Sequence, residues 1–378
     1  MNTDNRIRSM SQYIEQFDVS RLIYRLDIGS PQFTLAEVLG SGVEDLKNVL
    51  LDYGPSNGLC ILRELLAQKV MTENNLDVTA SNVTVTSGAT AGLYAVLSVI
   101  LSIGDAVLVP LPAWPSYANY VYSLHGRVVH CPLEHKTGGL VLSEEILNYY
   151  HHKFNIKAVI ITTPHNPTGR IFAQEDLQEV IECCIKRNVY VIIDEAYHGL
   201  TYSHYCHDGY VRHQNVFYVR SFSKYYLLPG IRLGYVFGDA QSVSQVGSVH
   251  NAIHGKTSIL SQHIGVKLLL QDDTVFQQQV QKYRNNLNFF RQLLYCNMQL
   301  LEMIEPDGAF FILCKIKQKI DMDSFLNRLA NVYRTMVIPG SVFSADLADY
   351  IRISLTEKEA RIYKGFENLV TCIGDCIE

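Results

Sequence analysis

Val191-Ile192-Ile193-Asp194-Glu195-Ala196-Tyr197, followed by Val216-Phe217-Tyr218-Val219-Arg220-Ser221-Phe222-Ser223-Lys224, is the stretch that decides the fold. Each run opens with β-branched or aromatic residues, has the length of a strand and ends abruptly in polar groups. A run with no polar alternation suits a strand covered on both faces. In open sheets of such strands, ligands sit beyond the carboxyl ends. The residues that follow each run are therefore the first place to look for chemistry.

Working outward, comparable runs occur at Val83–Thr86, Ala106–Val109, Arg127–His130, Ala158–Thr162, Tyr190–Ile193, Val216–Arg220 and Leu233–Phe237. Helix-like segments such as Ala91–Ile103 and Gln174–Arg187 lie between them. Strand alternating with helix predicts an α/β fold, a seven-stranded, mostly parallel sheet between helices. After Ile259 the pattern changes. Gln262–Leu270 and Thr274–Asn297 read as long helices. A strand at Ala309–Cys314, a helix near Asp323–Val332, and strands near Thr335–Ile338 and Tyr350–Ile353 follow. The expected organisation is a segment 1–45 packed with a smaller α+β domain 261–378, and a large domain 46–260.

Composition narrows the function classes. The chain has 378 residues, 48% apolar and 18% charged, with a net charge of −5. It is long enough for two cores, too apolar for disorder, and lacks the basic excess of non-specific nucleic-acid binding. The start, Met1–Arg6, has no apolar core of a secretory signal. The longest apolar run, Leu93–Ile103, is interrupted by Ser98 and Ser102 and falls short of the roughly 20 residues of a membrane span. A cytoplasmic enzyme is expected. The nine cysteines show no paired zinc spacing and read mostly as small buried apolar residues. His204-Tyr205-Cys206-His207 has no second ligand pair, so no metal is expected.

The strand ends carry a set of groups, each with an ordinary reading of its own. Ser87-Gly88-Ala89-Thr90 opens a helix and offers backbone N–H groups to an anion; many plain turns look the same. Trp114, the only tryptophan, could stack on a flat ligand or simply pack. Pro164-His165-Asn166-Pro167-Thr168-Gly169 is a rigid turn that projects the amide of Asn166. Asp194, after a buried run, needs a cation or strong donors; a salt bridge or a helix cap would satisfy it too. Lys224 can be desolvated into a nucleophilic amine, and Ser221, Ser223 and Arg232 beside it suit a phosphate. Five successive strand ends with such groups have no ordinary reading in common.

This constellation resembles the fold-type I pyridoxal-phosphate enzymes, specifically the class I/II aminotransferases, from about Leu26 to Leu355. The resemblance implies that Lys224 forms the Schiff base with pyridoxal 5′-phosphate and moves the Cα proton of the substrate. It implies that Asp194 pairs with the pyridine nitrogen, and that Asn166 and Tyr197 hydrogen-bond the phenolic oxygen. Gly88, Ala89, Thr90, Ser221, Ser223 and Arg232 would form the phosphate cup, and Trp114 would stack on the ring. Arg352, in Tyr350-Ile351-Arg352-Ile353-Ser354, would clamp the substrate α-carboxylate, with Gly29 lining the entrance. Tyr53 would reach the neighbour's phosphate across a homodimer interface.

The chain departs from the common transaminases after Gly29. Their Pro-Asp-Phe-x-x-Pro type segment is replaced by Ser30-Pro31-Gln32-Phe33-Thr34-Leu35-Ala36-Glu37-Val38-Leu39. That stretch, with Tyr53-Gly54-Pro55-Ser56-Asn57-Gly58 and Pro164-His165-Asn166-Pro167, looks more like capreomycidine synthase and the enduracididine-forming cyclases. The preferred specific expectation is thus a cyclase that eliminates the hydroxyl of a hydroxylated arginine and closes the guanidine ring, in natural-product biosynthesis. A conventional aminotransferase passing the amino group to a 2-oxo acid is the alternative. Both need Lys224 as base, and they part at the substrate side chain. A cyclase needs a carboxylate for the guanidinium, and Glu15, Asp18 and Asp27 are the candidates. A non-catalytic regulator on the same fold would carry an added DNA-binding segment, and none is expected.

Overall fold

The computed structural model describes residues 10–136, 139–202 and 210–377. Seven strands form the main sheet: β1 Val83–Thr86, β2 Ala106–Leu111, β3 Arg127–Pro132, β4 Ile156–Thr162, β5 Tyr190–Glu195, β6 Val216–Ser221 and β7 Gly234–Gly238. Their order is β1-β7-β6-β5-β4-β2-β3. β2 to β6 are parallel, whereas β7 runs antiparallel to both β1 and β6. The expected seven-stranded, mostly parallel sheet is present, with each strand within a few residues of its predicted bounds.

The sheet is covered on both faces, which explains the unbroken apolar runs. On one face, helix α1 (Ala89–Ile100) sets Leu93, Val96 and Leu97 against Val107, Ile160, Ile192 and Val219. On the other, helix α2 (Gln174–Lys186) sets Val180, Ile181 and Cys184 beside Val159, Val191 and Ile193. Val191, Ile192 and Ile193 are all fully buried. Burying three such side chains contributes roughly 5–9 kcal/mol, enough to hold a partnered carboxylate at the strand end. Helix α3 (Ala240–His254) packs beside α1; Asp239 caps it, accepting from the Ser242 N–H.

The second sheet is antiparallel, with β8 Leu301–Ile304, β9 Phe311–Ile316, β10 Ile338–Pro339 and β11 Tyr350–Ser354 in the order β8-β9-β11-β10. Alternation along β11 sends Ile351 and Ile353 into a core with Ile312, Phe325 and Leu369. It leaves Arg352 on the opposite face, toward the large sheet. β8 lies outside the elements expected from sequence.

The segment before residue 45 is divided. Tyr24–Arg25 pairs with Thr335–Met336, and Tyr13 and Leu26 enter the small core, but Val38 and Leu39 belong to the large one. Helix α4 (Thr274–Tyr295) gives Phe276, Val280 and Tyr283 to the large core and Leu287 and Phe290 to the small one. One helix serves both domains, so periodicity alone gave no break. Among the described residues, no helix is long and apolar enough to cross a membrane, and no group of three or more His, Cys, Asp or Glu could hold a metal ion. The His204–His207 stretch lies outside the described residues.

Candidate functional site

The carboxyl ends of the parallel strands open onto a cavity of about 450 Å³ between the two domains. Its wall includes Gly29, Ala89, Thr90, Trp114, Asn166, Asp194, Tyr197, Ser221, Ser223, Lys224, Arg232 and Arg352. Gly88 adjoins it, directly beneath Arg232. Of the residues expected to hold the cofactor, Tyr53 lies elsewhere. It is 85% exposed, with Lys256 Nζ 5.8 Å from its ring centre.

Lys224 follows β6 by three residues, and its Nζ donates to the Gly29 carbonyl at 2.6 Å. Burial, reinforced by the charges of Arg352 and Arg232, lowers its pKa from 10.5 to about 8. The amine is thus partly free at neutral pH, as a nucleophile or base must be. Asp194, the next-to-last residue of β5, is buried. Its Oδ2 accepts from the Tyr117 hydroxyl at 2.6 Å and its Oδ1 from the Ala196 N–H at 2.9 Å. Burial raises its pKa to about 6, against the lowering effect of those two donors. A cation against Asp194 would reverse that rise.

The turn at the head of α1 is held by backbone groups. Gly88 has φ +85°, a conformation that favours glycine, and a Cβ there would lie 2.6 Å from Arg232 Nη2. The Ser87 N–H donates to His250 Nε2 at 3.0 Å, and the Thr86 hydroxyl donates to the Gly88 carbonyl at 3.0 Å. The N-terminus of α1 begins there, at Ala89. Ser221 Oγ accepts from the Ser223 N–H at 3.0 Å.

Arg352 is buried between the Phe311 and Phe343 rings, its guanidinium carbon 4.9 and 5.3 Å from their centres. Nη1 donates to Asn166 Oδ1 at 3.0 Å and Nη2 to the Asp27 carbonyl at 3.2 Å, while Nε is buried without a partner. Gly29 stands opposite, where a Cβ would lie 3.6 Å from Nη2. Tyr197 packs edge-on to Phe310 and Phe311, and burial raises its hydroxyl to about 12. Trp114 meets Tyr117 edge-on at 5.4 Å.

The three carboxylates considered for a guanidinium are accounted for. Asp27 lines the cavity, but Arg25 holds both its oxygens at 2.8 Å. Asp18 is exposed and caps a short helical turn through the Ser20 N–H. Glu15 is exposed and lies outside the cavity wall. Sequence reasoning missed Tyr117, Arg25, Met10, Ile14 and Ile338, all in the wall. Tyr117 alone left a signal, three residues beyond Trp114 at the same strand end.

A larger hollow of about 760 Å³ lies behind β6, around Lys69, Glu73, His198, Arg220 and Arg284. Its principal charges are already matched: Arg220 with Glu195 at 2.9 Å and Lys69 with Glu73 at 2.9 Å. The smaller cavity holds the desolvated amine of Lys224 and lies at the head of α1.

The residues present fit pyridoxal 5′-phosphate. A buried carboxylate, a glycine turn under a guanidinium and a desolvated lysine in one cavity are the kinds of group that its ring nitrogen, phosphate and aldehyde require. The molecule is therefore a pyridoxal-phosphate enzyme of fold type I. Residues 23–366 match the family model for aminotransferase class I and II, and the chain belongs to that family. It is similar to a probable aspartate/prephenate aminotransferase of Aquifex aeolicus, 26% identical over 90% of this chain and 88% of that one. An aspartate aminotransferase of Pyrococcus abyssi is 28% identical over 95% and 94%. Among solved structures, an aminotransferase from Mycobacterium tuberculosis superposes with a TM-score of 0.87 at 22% identity, over 99% of this chain and 100% of that one.

Proposed function

We propose that this enzyme transfers an amino group between an amino acid and a 2-oxo acid. The observation that carries this reading is the state of the cavity's carboxylates. Asp27 and Asp194 are the only ones among the described wall residues, and both are held by donors of the chain itself. A guanidinium entering the cavity would have to displace Arg25 from Asp27. The relatives are likewise named as aminotransferases. The hydroxyarginine cyclase expected from the segment after Gly29 has no support in the relatives or in the cavity.

When bound, pyridoxal phosphate supplies an electron sink that acidifies the Cα–H bond of the amino acid. Asp194 then stabilises a protonated ring nitrogen, and Asn166 and Tyr197 hold the phenolic oxygen. Gly88, Ala89, Thr90, Ser221, Ser223 and Arg232 enclose the phosphate dianion. Trp114 limits ring movement. Arg352 offers its fork to the substrate α-carboxylate, steadied by Asn166, with Gly29 leaving the entrance open. Lys224 would be the base that takes up the Cα proton at its Nζ and gives it back. Tyr53 is assigned to the phosphate of a second subunit.

The test is a substrate panel with 2-oxoglutarate as acceptor. Aspartate, the substrate in several relatives' names, comes first. Acceptor-dependent glutamate formation is the expected result. Ring closure of a hydroxylated arginine without any oxo acid would overturn the reading.

A further inference from the structure

Helix α3 carries one residue whose placement its packing does not explain. His250 is completely buried between α3 and the turn after β1. Its Nε2 accepts the Ser87 N–H at 3.0 Å. The ring proton therefore sits on Nδ1, which is buried without a hydrogen-bond partner. Leaving a polar N–H unmatched in a core is unfavourable, and an apolar side chain would avoid it. What the histidine supplies instead is an acceptor at one point, the N–H of Ser87, the residue before Gly88.

We propose that His250 is a positioning residue for the phosphate of the cofactor, fixing the Thr86–Ser87 peptide so that the amides at the head of α1 converge on the anion. The inference rests on the reading of Gly88, Ala89 and Thr90 as phosphate ligands. Four restraints act on this turn. The Thr86 hydroxyl holds the Gly88 carbonyl, the Gly88 N–H donates to the Thr86 carbonyl at 2.8 Å, Arg232 lies over the Gly88 Cα, and His250 takes the Ser87 N–H. Only the last comes from outside the strand ends. Without it the Ser87 N–H is left unmatched, and the peptide can turn to seek another acceptor. Burial, with His254 nearby at a ring-centre distance of 5.2 Å, lowers the His250 pKa to about 4. The imidazole thus stays neutral and able to accept at physiological pH.

Two amide substitutions separate this role from simple packing. The Oε1 of His250→Gln reaches the place of Nε2, whereas the amide of His250→Asn reaches only that of Nδ1. Affinity for pyridoxal phosphate and for pyridoxal, which lacks the phosphate, is read by absorbance titration of the cofactor-free protein. His250→Leu and His250→Asn are expected to weaken pyridoxal phosphate about tenfold while leaving pyridoxal within about twofold. His250→Gln should stay within about threefold of wild type for both. Should the leucine variant fail to fold, the Gln and Asn pair carries the test. Equal loss of both ligands, unchanged affinity in all variants, or Asn performing as well as Gln would each overturn the proposal. If instead the wild-type protein binds pyridoxal as tightly as pyridoxal phosphate, the phosphate-cup reading itself fails.

Discussion

Lys224 holds its proton less firmly than a surface lysine because burial, Arg352 and Arg232 all oppose the ammonium form. Asp194 acts in the other direction. The sign of each effect is testable in the apoprotein. Its reaction rate with pyridoxal phosphate should rise with pH through a midpoint near 8, where the free amine becomes the major form. Arg352→Gln should move that midpoint up, and Asp194→Asn should move it down. Stopped-flow absorbance across pH measures both, and shifts of the same sign would refute the electrostatic account. Stability follows the same linkage. The unfolded lysine keeps its proton to about 10.5 and the folded one to about 8, so Lys224 makes the apoprotein gain stability as pH rises through that window. Lys224→Ala should remove this gain. The wild-type-minus-variant difference in melting temperature, followed between those pH values, should grow with pH. Lys224 and Asp194 were legible in the sequence because each is a charge set at the end of an apolar run. Tyr117 and His250 were not. Each is a helical residue whose meaning depends on what the helix is packed against.

At the scale of elements, the site depends on how closely β7 passes the head of α1. A Cβ on Gly234 would lie 2.6 Å from the Ala89 nitrogen, 2.7 Å from the Gly88 carbonyl carbon and 2.8 Å from the Arg220 oxygen. All three are backbone atoms, and none can swing aside as a side chain would. Gly234→Ala must therefore push β7 away from the head of α1. A cost of about 1–3 kcal/mol is expected, with a larger relative loss of cofactor affinity. Gly230, where an added Cβ would meet nothing within 4 Å, is the control. Gly230→Ala should melt at or slightly above the wild-type temperature, by about 0.4–1 kcal/mol of stability. A Gly234→Ala protein that melts and binds cofactor like wild type would refute the close-contact argument. The sequence displayed the strands well because β2, β4, β5 and β6 are buried on both faces. It hid β8, where Glu302 interrupts a short apolar run, and the domain boundary within α4, where one helical period runs through two cores.

For the whole molecule, the feature that the single chain leaves unexplained is the stretch around Tyr53. Leu50, Leu51 and Tyr53 are 78%, 72% and 85% exposed, an apolar run that a lone subunit would present to water. If a second copy covers it and receives Tyr53 into its phosphate cup, two crippled subunits should complement. Lys224→Ala has no base in its own cavity but still offers an intact Tyr53. Tyr53→Phe keeps Lys224 but lacks the hydroxyl for its neighbour, and cofactor affinity should fall about tenfold or more in its homodimer. In a mixed dimer, the Lys224-bearing cavity receives Tyr53 from the other subunit and is complete. Equal mixing after reversible dissociation should restore tight cofactor binding to about a quarter of all cavities, by random pairing. If Tyr53 served its own chain, the mixture would show only the sum of the two defective homodimers. Cofactor titration of separately tagged, co-purified mixed dimers distinguishes the two outcomes, because complementation requires that each cavity be completed by its neighbour.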